Sequence, residues 1–218
     1  MLMPRVFHCL FVCLAIAVPA TAQQKEPIGP FAVDLRGIFA RHKVEPDIAK
    51  GLGVENANLP VRSFGLVGGA HWYPWHAGKV TLGVGANVVL ARGTRTLEVD
   101  ADSAAQAEKG PTVRRHFTAF SPEISLNFGH RKGWSYVSGG FLGRSKLYLD
   151  RVDTPATSVP SRKTLNYGGG ARWFVTDHLA FSVDFRWYSV AEQLPTTTGV
   201  VFQPRTTLLV LSGGIAIK

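Results

Sequence analysis

Cysteine is nearly absent from this sequence, and long apolar runs are rare. Cys9 and Cys13 are the only cysteines, and both lie in a segment that we predict to be cleaved. The rest of the chain then has no thiol for a disulfide or for a cysteine-based metal site. Beyond that segment no stretch reaches about 18 apolar residues, so no transmembrane helix is predicted. These absences exclude a disulfide scaffold and a helical membrane protein.

A cleavable export signal is predicted at the N-terminus. Arg5 supplies a positive charge, residues 6–18 form an apolar segment, and Ala20-Thr21-Ala22 fits a cleavage site. We expect a signal peptide over 1–22, a periplasmic linker over 23–30 and one barrel domain over 31–218. The loss of Arg5 lowers the formal net charge from +9 to +8. The expected acidic partner of such a basic exported protein is phosphate-bearing lipid, not nucleic acid.

Alternation with a period of two runs through the remaining chain. The clearest case is LAFSVDFRWY, residues 179–188. Its apolar face carries Leu179, Phe181, Val183, Phe185 and Trp187. Its other face includes Asp184 and Arg186, and no amphipathic helix of useful length is present to cover the apolar faces. Because an apolar outside around a polar inside suits lipid, the pattern predicts a transmembrane β-barrel.

Eight strands with alternating long and short connections are predicted. The strands cover about 31–41, 61–73, 79–93, 114–128, 134–149, 164–175, 179–188 and 206–217. The long connections are 42–60, 94–113, 150–163 and 192–205. In outer-membrane barrels long loops are extracellular and short turns periplasmic. The expected fold is therefore all-β, an eight-stranded antiparallel up-and-down transmembrane barrel with four long extracellular loops and three short periplasmic turns.

Charged residues on the non-lipid face are predicted to meet in the lumen. They are Asp34, Arg36, Glu123, Arg172, Asp184 and Arg186. An eight-stranded barrel is just wide enough for side chains to fill it, and buried charges need partners. We expect arginine–carboxylate pairs that rigidify and close the barrel. A gate or a proton path remains an alternative.

Two further sets are predicted near the strand ends. Candidate contacts with lipopolysaccharide phosphates at the outer ends are Arg92, Arg95, Arg114, Arg115, Arg144, Lys146, Arg162, Lys163 and Arg205. A merely solvated rim is the alternative for these cations. An aromatic girdle near the short turns would comprise Trp72, Tyr73, Trp75, Trp134 and Trp173.

Three runs carry a family resemblance. GGGARWFVTDHLAFSVDFRWYS (168–189), SPEISLNFG (121–129) and GWSYVSGG (133–140) resemble OmpA-like and opacity-type eight-stranded outer-membrane barrel domains. The resemblance covers the chain from about Pro30 onward. It implies residence in the outer membrane of a Gram-negative bacterium and assembly by the outer-membrane machinery, but no single activity. The chain departs from the family by ending in Ile217-Lys218, where an aromatic residue is usual.

No catalytic, metal or cofactor site is predicted. The lipid A deacylase barrels carry a His-x-Ser arrangement in a late strand, whereas here Trp187 precedes Ser189 at the place of the base. The histidines of the mature chain are scattered without zinc-ligand spacing: His42, His71, His76, His116, His130 and His178.

The expected function is non-enzymatic. We expect a monomer that supports the cell envelope or meets lipopolysaccharide or an external partner through its loops. The alternatives are a narrow passive channel, a lipid A-modifying enzyme, or a secreted lipocalin-like binder. The last of these would have a calyx lined by Phe181, Phe185 and Trp187.

Overall fold

A computed structural model describes residues 26–43, 46–51, 55–96, 112–153, 159–193 and 203–218. The predicted signal peptide, residues 23–25, and most of the second and fourth long connections lie outside the described residues. The strands are β1 (Phe31–Arg41), β2 (Arg62–Ala77), β3 (Val80–Thr96), β4 (Thr112–His130), β5 (Gly133–Arg151), β6 (Arg162–Phe174), β7 (Leu179–Val190) and β8 (Thr206–Ile217).

The strands close into a single barrel. Each strand pairs antiparallel with its neighbours in sequence, and β8 pairs with β1. The predicted eight-stranded antiparallel barrel is thus confirmed. β1 and β8 have the predicted bounds, whereas β2 to β5 run longer than predicted, so the turns after β2 and β4 shrink to Gly78-Lys79 and Arg131-Lys132. Gly78 has a φ of 59°, a conformation that favours glycine and permits so tight a turn.

The connection between β1 and β2 contains the described helical structure. A short helix α1 (Pro46–Gly51) is followed by a 3₁₀ turn (Asn56–Asn58). Within the described part of the chain, no helix has the length and apolarity needed to cross a membrane.

The register shows how narrow the barrel is. A line of directly paired residues that starts at Arg41 on β1 and passes once around the barrel, from β8 down to β2, returns to β1 at Phe31. The stagger around the barrel is therefore ten residues. Eight strands with this stagger enclose only enough space for side chains. The interior is therefore a packed core.

The two faces of the wall are inverted relative to a water-soluble barrel. Phe181 and Phe185 point outward and are 60% and 42% exposed. All four carboxylates within the eight strands are buried: Asp34, Glu123, Asp150 and Asp184. The lipocalin-like alternative is wrong, because Phe181 and Phe185 lie outside the barrel while Asp184 lies inside it.

An irregularity in β4 and β5 distorts the wall midway. Pro122 has no N–H for the ladder, and the β4–β5 register shifts between Phe120 and Ile124. The β5–β6 register also shifts, between Gly140 and Gly143. Gly140 is required here because a Cβ would lie 1.8 Å from the Pro122 carbonyl oxygen. The bulge leaves the consecutive residues Phe141 and Leu142 both exposed on the outside.

Candidate functional site: a charged lumen between two apolar layers

The first ion pair in the lumen joins β1 to β6. The Arg172 guanidinium donates from Nε to Asp34 Oδ1 at 2.9 Å and from Nη2 to Oδ2 at 2.5 Å. Ser182 Oγ donates to the same carboxylate at 3.0 Å, and Arg172 Nη1 donates to the Tyr73 hydroxyl at 3.2 Å. Arg172 is 1% exposed and Asp34 2%. This two-point geometry is the strongest form of arginine–carboxylate contact.

Arg186 forms the second centre. It donates from Nη1 to Glu123 Oε2 and from Nη2 to Asp184 Oδ2, the latter at 3.1 Å. Two neutral groups also accept from it: Asn166 Oδ1 at 2.6 Å and Ser138 Oγ at 2.7 Å. Four strands therefore supply partners for one buried cation, which offsets the cost of removing it from water.

Arg36 completes the network from β1. It donates to the Tyr136 hydroxyl at 3.2 Å and to Asn87 Oδ1 at 3.1 Å, and it lies 3.6 Å from Asp184 Oδ2. Tyr136 in turn donates to Asp184 at 2.9 Å. The structure thus brings together all six charged residues predicted for the lumen, as three cations beside three carboxylates.

His71 connects the two carboxylate centres. Its Nε2 lies 3.4 Å from Asp34 Oδ2 and its Nδ1 3.6 Å from Glu123 Oε1. In the sequence this histidine is one of a scattered set, although it shares the inward parity of Ser63 and Val67 in β2. Among the described residues, no group of three or more histidine, cysteine, aspartate or glutamate side chains could hold a metal ion.

Apolar layers lie on both sides of the charges, which the sequence did not predict. Toward the long connections, an inner cluster includes Ile38, Val89, Phe117, Tyr188 and Leu208. Toward the short turns, a second cluster consists of Ile28, Ala32, Tyr73, Trp134 and Tyr136. Tyr73 and Trp134 are therefore interior residues, and their assignment to the aromatic girdle is wrong. Trp72, Trp75 and Trp173 do face outward.

The segment that precedes β1 closes the turn end. Ile28 is buried in the second cluster, and its carbonyl oxygen lies 2.9 Å from His76 Nε2. Glu26 pairs with Arg131 at 2.5 Å, and the Lys218 ammonium lies 3.7 Å from the centroid of the Phe174 ring. Within the predicted linker, residues 26–30 thus pack across the barrel base.

The first long connection covers the opposite end. Leu59 is buried with Ala49 and Val113, and Arg115 Nε donates to the Pro60 carbonyl oxygen at 2.9 Å. Arg115 and Arg162 are 1% and 6% exposed, and Arg162 Nη2 donates to the Leu147 carbonyl oxygen. The prediction of lipid-phosphate contact is therefore wrong for these two arginines, because they point into the barrel.

A histidine–serine pair lies beneath this cover. His42 Nε2 and Ser63 Oγ are 2.9 Å apart, and both residues are buried. Burial, reinforced by the charge of Arg115, lowers the pKa of His42 from 6.5 to about 3. His42 Nδ1 has no hydrogen-bond partner among the described residues, so no carboxylate there orients the ring as in a catalytic triad.

Exposed cations of the wall concentrate at this same end. Those facing outward on the strands are Arg41, Arg62, Arg92, Arg144, Lys146 and Lys163, together with the half-buried Arg114. Arg95, at the end of β3, and Arg205, just before β8, are also exposed. Two pairs of like charge lie directly opposite each other across strands: Arg41 with Arg62, and Arg144 with Lys163. Arg41 and Arg62 were not among the predicted contacts.

No family model and no curated protein sequence matches this chain. Similar solved structures include Neisserial surface protein A, at 12% identity over 86% of this chain and 96% of that one, with a TM-score of 0.46. The outer membrane protein OprG of Pseudomonas aeruginosa shows 10% identity over 88% and 97%, with a TM-score of 0.47. The N-terminal barrel domain of OprF from the same organism shows 11% identity over 89% and 98%, with a TM-score of 0.40. These likenesses are too distant to assign a family or an activity.

Proposed function

We propose that this protein is a monomeric outer-membrane barrel that is closed to solutes and has a structural or surface-interaction role in the envelope. The observation that carries the proposal is the inverted wall, apolar outside with Asp34, Glu123 and Asp184 buried inside. Lipid is the solvent that such a wall suits. Closure also pairs every strand edge within one chain, so no second copy is needed for that purpose.

A structural role is favoured over a channel by the filling of the lumen. A solute would have to pass three layers: the apolar cluster around Phe117, the paired charges, and the cluster around Trp134. In a barrel this narrow the paired charges act as internal cross-links between opposite walls. A non-enzymatic role accords with the buried position of the His42–Ser63 pair.

The orientation follows from the asymmetry of the two ends. The two-residue turns after β2 and β4 lie at one end of the barrel. The cationic rim, formed by the outward-facing arginines and lysines of the strands, lies at the other end. Short turns are periplasmic in outer-membrane barrels, which puts the cationic rim at the phosphate-bearing outer leaflet. Lipopolysaccharide is then the first partner that the exposed rim cations would meet.

The test is membrane extraction followed by conductance measurement. Expressed in a Gram-negative host, the protein should fractionate with the outer membrane and migrate differently on a gel when heated. Reconstituted in a planar bilayer beside an open porin as control, it should give no discrete conductance steps. A periplasmic product without a heat-dependent shift would refute the membrane assignment. Reproducible conductance steps would refute the closed lumen and favour the channel alternative.

A further inference from the structure

An apolar groove runs along the outside of the barrel across six strands. Its volume is about 960 Å³. Six of its lining residues form one continuous row of cross-strand neighbours: Val137, Gly169, Phe185, Leu211, Phe39 and Phe64. The groove thus follows the hydrogen-bonding direction of the sheet from β5 to β2.

Two glycines form part of the groove floor. Gly37 on β1 and Gly213 on β8 are direct neighbours across the seam that closes the barrel. A Cβ on Gly37 would have its nearest neighbour at 3.8 Å, and one on Gly213 at 4.0 Å. Packing therefore does not require glycine at either position. Their missing side chains leave the depression between the surrounding phenylalanine, leucine and valine side chains.

The groove climbs toward the cationic end of the barrel. The stagger of the strands makes the row rise from Val137 to Phe64 as it passes from β5 to β2. Five interstrand steps of about 4.8 Å give a length of about 24 Å. With strands tilted by about 40°, the row rises about 15 Å, which is roughly half of the hydrocarbon thickness of a bilayer.

Three exposed arginines meet the upper end of the groove. Arg92 lies directly opposite Phe64, while Arg41 and Arg62 lie opposite each other two residues beyond Phe39 and Phe64 along their strands. Like charges directly opposite on neighbouring strands repel, and an anion between them removes the penalty. Asp34, Glu123 and Asp184 are buried inside the barrel, and Asp150 on the outer face lies against His116 at 3.5 Å. Among the described residues, no strand carboxylate forms an ion pair with Arg41, Arg62 or Arg92.

We infer that this groove binds one acylated lipid with an anionic phosphate headgroup. The phosphate accepts hydrogen bonds from the guanidinium groups of Arg41, Arg62 and Arg92, whose planar forks match phosphate oxygens. An acyl chain lies over Gly37 and Gly213. A second copy of the chain is a poorer occupant, since a symmetric contact would bring these arginines against their own counterparts. The inference rests on the proposed membrane location.

Native mass spectrometry of the folded protein tests the site directly. The protein in zwitterionic micelles is titrated with phosphatidylglycerol, with phosphatidylcholine, and with inorganic phosphate. One phosphatidylglycerol should be retained per barrel. Phosphatidylcholine should bind more weakly because its choline offsets the phosphate charge, and inorganic phosphate should not be retained because it has no chain.

Matched variants separate a specific site from general attraction. Retention should fall about tenfold or more in R41Q/R62Q/R92Q, whereas R144Q/K146Q/K163Q removes equal charge elsewhere on the rim and should leave it unchanged. G37L/G213L fills the groove and should also weaken retention. Gly68→Leu is its control, because Gly68 has no atom within 4 Å of a Cβ and lies outside the groove.

Each contrary result has a distinct meaning. Equal losses in both triple variants, an unaffected G37L/G213L, equal retention of phosphatidylcholine, or a dimeric mass would overturn the lipid site. Those results leave the membrane proposal intact whenever a heat-dependent gel shift shows that each variant is folded. Absence of that shift, together with a periplasmic location of the wild type, would refute the proposed function and the lipid site with it.

Discussion

Replacing Asp34 by leucine should destabilise the barrel severely, because it leaves a buried arginine without its carboxylate. Arg172 is 1% exposed and directs two hydrogen bonds to Asp34. Removing one partner of a buried ion pair costs about 3–5 kcal/mol. We therefore expect the free energy of unfolding of Asp34→Leu to fall by about 4 kcal/mol. The change is measured by reversible urea unfolding in phospholipid vesicles, followed by tryptophan fluorescence.

The double variant shows whether the loss comes from the stranded charge. D34L/R172M removes both charges and leaves the Tyr73 hydroxyl without its donor, for which we expect a total cost of about 1–2 kcal/mol. The double variant should thus be more stable than either single variant. Ser182→Ala is the matched control, because it removes only one hydrogen bond to Asp34 and should cost about 1–2 kcal/mol.

Two outcomes would refute this reasoning. A cost below about 1 kcal/mol for Asp34→Leu would mean that water reaches Arg172 and replaces the carboxylate. A double variant that loses the sum of the two single losses would mean that the residues stabilise the barrel independently. Either result would also weaken the case for a closed lumen.

Two more predictions concern the loop end and the wall. Burial and Arg115 lower the pKa of His42 to about 3, so the unfolded chain binds more protons than the folded barrel between this value and 6.5. As the pH is lowered from 6 to 4, the free energy of unfolding should therefore fall by up to about 1.4 kcal/mol per pH unit. His42→Asn should remove this dependence in urea unfolding. An unchanged slope in that variant would contradict the assignment. Gly65→Ala should lower the free energy of unfolding by about 1–3 kcal/mol, because its Cβ would lie 1.9 Å from the Leu90 carbonyl oxygen. Gly68→Ala should be close to neutral in the same urea unfolding, and equal effects of the two variants would show that the wall yields at Gly65.

The alternation of side chains along the predicted strands indicates which arginines near the strand ends face inward and which face outward. Arg115 shares the parity of Glu123, and Arg162 that of Asn166, so both could have been assigned to the interior. The same rule places Arg41 with Phe39 on the outer face. Strands that extend past the membrane keep this alternation. A charge near a strand end therefore need not face the lipid.

Other features depend on non-local geometry that no local pattern contains. The bulge around Pro122 and Gly140 changes the β4–β5 and β5–β6 registers, and the division of the lumen into apolar and charged layers follows from the stagger of all eight strands. The outer groove likewise exists because closure brings Gly37 of β1 beside Gly213 of β8.

The strand number, the antiparallel order and the inward position of six charged residues can be predicted from the sequence, because turn signals separate the strands and side chains alternate along each strand whatever its neighbours are. The closed sheet is what pairs Asp34 with Arg172 and Glu123 with Arg186, and what places His71 between these pairs. Partners 138 and 63 residues apart meet only when the sheet closes. The stagger at closure sets the height of each inward side chain, and thereby which charges come within reach of one another.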